Sequence, residues 1–164
     1  MRRYRNKYFD IALNLPDNWR AIDNPEVFVT TLRMTEEDME NMSFFLVEIN
    51  DNVITKCISV THEPFIFENQ SDFFYAVQAN IDTLQEYGSG ILSQKSTRTD
   101  FGYLCYKIVA VSGSVLQSLY MVYINDIFLC FSGEIGQEND SADMNLYRIV
   151  SSIHSTEELS ITNN

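Results

Sequence analysis

Apolar and polar residues mostly alternate along this chain, the period of β-strands, and shift to a three-to-four-residue period in two places. Phe9, Ile11 and Leu13 face one way, with Asp10, Ala12 and Asn14 opposite, which predicts a half-buried strand. Leu15-Pro16-Asp17-Asn18 breaks it, because Pro fixes φ and Asp-Asn suits a turn, and Trp19 restarts the chain. Residues 27–34, rich in Val, Phe and Thr, read as another strand. Two more strands, 43–50 and 53–61, meet at Asp51-Asn52 as a tight hairpin would.

The helical period appears over residues 71–87, where Phe74, Val77, Ile81 and Leu84 form one apolar face and Phe73 widens it. Ser71 is a suitable N-cap, and Gly88 stands where a helix commonly ends. A meander follows, with strands at 90–99, 102–111, 115–124 and 127–134. Ser112-Gly113-Ser114 and Asn125-Asp126 link its last three strands. The strand at 90–99 is the most polar and suits a sheet edge, where Lys95 and Arg98 would blunt further pairing. Asp140 or Ser141 caps a last helix to about residue 153, with Leu146, Ile149 and Ile153 on its inner face.

The central strands are apolar on both faces: Tyr103, Cys105, Val109 and Val111 alternate with Leu104, Tyr106, Ile108 and Ala110. An antiparallel sheet with one wet face would show a clean polar alternation instead. With two helices available, the expected fold is α+β, a three-layer α/β/α sandwich with a mostly antiparallel sheet. The expected organisation is a frayed basic end at residues 1–7, one domain over 8–154, and a flexible tail at 155–164.

Charge narrows the range of functions. Four of the 11 bases (Arg2, Arg3, Arg5, Lys7) open the chain and all 23 acids follow them, so the body beyond Lys7 carries −16 of charge. Such a body repels phosphate backbones, which excludes nucleic acid as the expected partner. No apolar run approaches the ~18 residues of a membrane span, and no apolar stretch follows the basic start as a signal peptide requires. Cys57, Cys105 and Cys130 are odd in number and far apart, and read as buried thiols of a cytoplasmic protein.

Little in the sequence points to catalysis. His62 closes a strand, His154 follows the last helix, and no nucleophile motif or phosphate-binding glycine loop accompanies either. An enzyme would need a pocket gathering His62 with an acid and a Ser or Cys. No cofactor or metal is expected: the acidic run at 35–42 lacks the order of a calcium loop. Its Glu36, Glu37, Asp38 and Glu40 are candidates for contact with a basic partner. Phe65, Phe67, Tyr75 and Tyr87 exceed what the predicted core absorbs and are candidates for a protein contact.

Residues Phe9 to Trp19, a strand ending at Pro16, a short turn and a Trp opening the next strand, resemble the opening of Mog/PsbP-like proteins. The later order of strands, helix, long antiparallel strands and C-terminal helix is similar too. Asn18 stands where a Gly is common in those proteins, and the acidic run at 35–42 is a departure from them. The resemblance extends to DcrB-like proteins and Eag-type chaperones of secretion effectors. It implies a binding or assembly factor: a non-catalytic cytoplasmic adaptor or chaperone-like protein that binds another protein, with a homodimer compatible. The alternative is an acidic immunity protein that occludes the basic active site of a toxin.

Overall fold

The structure is a computed structural model that describes residues 1–24 and 42–157. The strand predicted at 27–34 and the acidic candidates Glu36, Glu37, Asp38 and Glu40 lie outside those residues. The described elements begin with β1 (Arg2–Asn6), β2 (Ile11–Leu15), β3 (Trp19–Ile22), β4 (Met42–Asn50) and β5 (Val53–Pro64). Helix α1 (Gln70–Glu86) precedes β6 (Gly90–Arg98), β7 (Leu104–Ser112), β8 (Val115–Ile124) and β9 (Ile127–Ile135). Helix α2 (Ser141–Ser151) and the short β10 (His154–Ser155) follow.

Seven strands form one antiparallel sheet in the order β3-β4-β5-β9-β8-β7-β6, and a smaller sheet has the order β1-β2-β10. The tight hairpins come from residues that tolerate left-handed backbone: Asp51 and Asn52 take φ of 50° and 62°, Asn125 and Asp126 of 52° and 58°. Two such residues in a row match the right-handed twist of the flanking strands. β5 does not pair with its successor in sequence. It pairs with β9, from Ile58 opposite Gly133 to Pro64 opposite Ile127. β6 is an edge strand, bulged between Ile91 and Ser93.

Each face of the large sheet carries its own apolar cluster. Tyr120, Val122, Leu129 and Phe131 share one with Ile11 and Leu13 of β2, Trp19, and Leu146, Ile149 and Val150 of α2. Ile108, Ala110, Leu119, Met121 and Phe128 share the other with Phe73, Ala76, Val77 and Ile81 of α1. Successive strand residues point to opposite faces, so strands buried on both sides need both sets of positions apolar.

Three details differ from the sequence reading. Residues 1–7 do not fray over 2–6: β1 pairs with β2 at every position from Arg2–Leu15 to Asn6–Ile11, because backbone bonds and the Tyr4 ring on Phe44 offset its polar side chains. Residues 155 and 156, expected to open a flexible tail, are held in place: Ser155 pairs with Ile11, Thr156 is buried, and its N–H donates to the Asp10 carbonyl at 2.8 Å. Helix α1 is capped by Asn69 rather than Ser71. The Asn69 side chain accepts from the Ser71 N–H at 2.8 Å, and the Asp72 carboxylate accepts from the Asn69 N–H at 3.2 Å. This reciprocal capping box satisfies donors that the first turn leaves open. The helix accordingly buries the stripe Phe73, Ala76, Val77 and Ile81, and Phe74 is exposed.

Candidate functional site

Several cavities open on the surface of the described residues, and two of them gather side chains with candidate chemistry. The first, about 470 Å³, lies between the edge strand β6 and α2, lined by Ser93, Lys95, Lys107, Glu138, Asp143 and Tyr147 among others. Its floor holds a polar network. The Asp143 carboxylate, 1% exposed, accepts from Lys107 Nζ at 2.6 Å, the Asn139 N–H at 2.7 Å, the Ser118 hydroxyl at 2.9 Å and the Tyr120 hydroxyl at 3.3 Å.

Burial works against the Asp143 charge, but Lys107, the Asn139 N–H and the Ser118 hydroxyl together hold its carboxyl below the usual range. Burial and the neighbouring Asp143 charge push the Tyr120 phenol well above its ordinary value. Lys107 also lies 3.9 Å from Glu138. Lys107 and Asp143 thus neutralise each other, and the phenol stays protonated. The network therefore ties the first turn of α2 to β7 and β8. Its signals in the sequence are a lone Lys inside an apolar strand and an Asp three residues after the Asp140 cap.

The second cavity, about 630 Å³, is lined by Arg5, Asn6, Lys7, Tyr8, Phe9, Asp23, Ser43 and His62. It thus gathers His62 with an acid and a serine, the constellation an enzyme would need. The Ser43 hydroxyl is hydrogen-bonded to His62 Nδ1, and the ring stands 4.9 Å from that of Phe9. Asp23 accepts instead from the Tyr4 hydroxyl. The Ser43–His62 pair is two members of a triad; among the described residues no carboxylate is hydrogen-bonded to the imidazole as the third. Ser43 lies at a register irregularity between Met42 and Phe44, which brings it beside His62 across the β4–β5 ladder.

His154 is buried and structural. Its Nδ1 lies 2.9 Å from the Ser152 carbonyl, its Nε2 lies 2.9 Å from Arg3 Nη2, and Phe101 stacks on the ring at 4.6 Å. A carbonyl can only accept and a guanidinium only donate, so the ring is the Nδ1–H tautomer and joins β1 to the end of α2. The three thiols are unpaired. Burial pushes Cys57 up to about 11 and Cys105 and Cys130 up to about 12.

Of the aromatic candidates, Phe67 is partly buried, its ring 4.1 Å from that of Tyr123, whereas Phe65, Tyr75 and Tyr87 are exposed. Among the described residues no three His, Cys, Asp or Glu side chains are placed to hold a metal ion, and no helix is long and apolar enough to cross a membrane.

No protein-family model and no curated protein sequence matches this chain. In structure it is similar to the cyanobacterial PsbP (CyanoP) from Synechocystis sp. PCC 6803, solved in solution, with a TM-score of 0.60 and 11% identity over 94% of this chain and 91% of that one. A crystal structure from Bacteroides thetaiotaomicron VPI-5482 aligns with a TM-score of 0.48 and 9% identity, over 93% of this chain and 47% of that one. At 11% identity the likeness to the cyanobacterial protein shows the fold alone, a PsbP-like, mixed α/β architecture with mostly antiparallel sheets.

Proposed function

We propose that this chain is a non-catalytic protein-binding domain, an adaptor or chaperone-like factor, that presents the outer face of α1 to an apolar segment of a partner protein. The observation that carries this reading is the aromatic and aliphatic surface beside α1. Ile66 is 81% exposed, Tyr75 74% and Tyr87 83%. Ring contacts run from exposed Phe65 through Phe67 and Phe73 to exposed Phe74. Large apolar side chains left exposed on and beside one helix favour a protein contact. Helix α1 carries Asp72, Asp82 and Glu86 and no base, which favours a segment with basic flanks.

We read the fold as a three-layer α/β/α sandwich of the Mog/PsbP-like kind, with α1 on one face of the large sheet and α2 with the small sheet on the other. DcrB-like proteins and Eag-type chaperones are the relatives this reading favours, and unpaired thiols favour a reducing, cytoplasmic setting. The test compares proteins captured by the native chain and by an Ile66→Glu/Tyr75→Glu variant of unchanged fold. A polypeptide bound by the first and lost from the second is expected; identical captures, or none, would overturn the reading. The alternative, an acidic inhibitor of a basic toxin, rests on the net charge of −12 and on Glu36, Glu37, Asp38 and Glu40. An association rate unaffected by neutralising those four acids would remove it.

A further inference from the structure

We propose that the cavity between β1 and His62 is a binding site for a small organic anion with an apolar or aromatic body, such as an aryl carboxylate. Its volume, about 630 Å³, is that of a small-molecule site, which runs from roughly 300 to 1,000 Å³. Its charge stands against that of the whole molecule. In a chain of net −12, this wall carries Arg5 and Lys7, and neither makes an ion pair among the described residues. Asp23, the acid of the lining, is engaged by the Tyr4 hydroxyl. Among the described residues of the lining, two cations therefore face one carboxylate that is already hydrogen-bonded. In the other cavity Lys107 is taken up by Asp143 and Glu138, which leaves Lys95 as its one cation without an ion pair among the described residues.

The wall is also held in place. β1 pairs with β2 through Arg5–Ala12 and Asn6–Ile11, which fixes the basic end of the chain to the body. The buried Asn6 side chain then sets the turn that follows. Its Oδ1 accepts from the Tyr8 N–H at 2.9 Å and the Phe9 N–H at 3.1 Å, while Nδ2 donates to the Tyr4 hydroxyl at 2.9 Å. An Asn side chain closing on the backbone two and three residues ahead is a rigid turn device, so the backbone that carries the two cations is set before a ligand arrives.

Tyr8, Phe9 and His62 form an aromatic corner: Tyr8 meets Phe9 edge-on at 4.8 Å and His62 at 6.4 Å. With Ser43 on Nδ1, the Nε2 side of the imidazole has no partner among the described residues. A ligand whose anionic head meets Arg5 and Lys7 would lay its body on this corner and use Nε2 or the Ser43 hydroxyl as its polar contact.

The experiment is an amide-shift titration of the full chain with sodium benzoate. Benzyl alcohol supplies the ring without the charge, and inorganic phosphate the charge without the ring. Saturable shifts at Tyr8, Phe9 and Ser43 are expected, with benzoate at least about tenfold tighter than either control, the scale of a charge-assisted hydrogen bond. The Arg5→Gln/Lys7→Gln variant should lose about tenfold or more, whereas Arg2→Gln, which changes net charge on the same strand outside the lining, should stay within about twofold. Trp19 fluorescence verifies that each variant is folded. Shifts that do not saturate, a control that binds as tightly as benzoate, or equal losses in the two variants would overturn the proposal.

Discussion

Asp143→Ala tests whether the polar floor beneath α2 holds the fold together. The substitution removes an acceptor shared by four donors and leaves the Lys107 ammonium, 13% exposed in its side chain, facing the buried Ser118 and Tyr120 hydroxyls. Deleting one partner of a buried ion pair costs about 3–5 kcal/mol. Lys107 keeps Glu138 at 3.9 Å, which places the expected loss at the low end, about 3 kcal/mol. For a chain of this length that lowers Tm by roughly 6–12 °C.

Asp143→Asn should cost less, for a geometric reason. Lys107 and the Asn139 N–H both donate to Oδ2, whereas Ser118 and Tyr120 donate to Oδ1. An amide placed with its oxygen at the Oδ2 position still serves the two fixed donors, and the two hydroxyls can rotate to accept from its NH₂. Only the charge is lost, at about 1–2 kcal/mol. The Lys107→Met/Asp143→Leu double variant should return to within about 1 kcal/mol of the native chain, because an apolar pair needs no desolvation. Urea denaturation at pH 7, followed by fluorescence of the single tryptophan, Trp19, which is buried, measures all three. An alanine cost below about 1 kcal/mol, or an asparagine cost equal to it, would refute the assignment.

Three further expectations follow from the same geometry. Asp143 and Asp140 are held below the ordinary carboxylate range when folded, so their contribution is complete above the unfolded value of about 3.9 and is lost as pH falls through the folded one. Asp143→Asn should therefore flatten the fall in stability between about pH 5 and 2, and parallel curves for the two proteins would contradict this. Asn52→Gly should raise stability by about 0.5 kcal/mol, since Asn52 sits at φ 62° in the second position of a two-residue hairpin where Gly is favoured; a lower urea midpoint would count against it. Cys105 and Cys130, pushed up to about 12, should react with iodoacetamide at pH 8 far more slowly in the native chain than in urea, and equal rates would show that they are accessible.

Much of the fold is legible because its signals are local. Asp51-Asn52 and Asn125-Asp126 mark their hairpins by residue type, and Asp140 marks the start of α2. The phase of α1 is not local. Phe73 and Phe74 are equally apolar, and the choice between them belongs to the sheet that receives the helix and to the Asn69 cap. β1 is hidden for a different reason: its Arg-rich pattern shows no apolar face, and its place depends on backbone pairing with β2. The site shows the same division. His62 stands out in the sequence as one of two histidines, whereas Ser43, Arg5 and Lys7 reach it only through strand register. Lys107 and Asp143 meet only once α2 crosses β7 and β8.

The pairing of β5 with β9 also has a kinetic side. β6 to β9 and β4 to β5 are built from neighbouring hairpins whose ends meet cheaply, but the ladder joining these two blocks brings Pro64 against Ile127 and so closes the whole stretch that contains α1. Loop-closure entropy makes such non-local pairing slow relative to hairpin formation. The meander and the β4–β5 hairpin are then the expected early units, and the β5–β9 seam is expected to form after the rate-limiting step. Small deletions such as Val60→Ala should accordingly speed unfolding more than they slow folding, and the reverse pattern would place the seam in the nucleus. The strand that makes the sheet continuous is thus the joint at which the chain comes apart first.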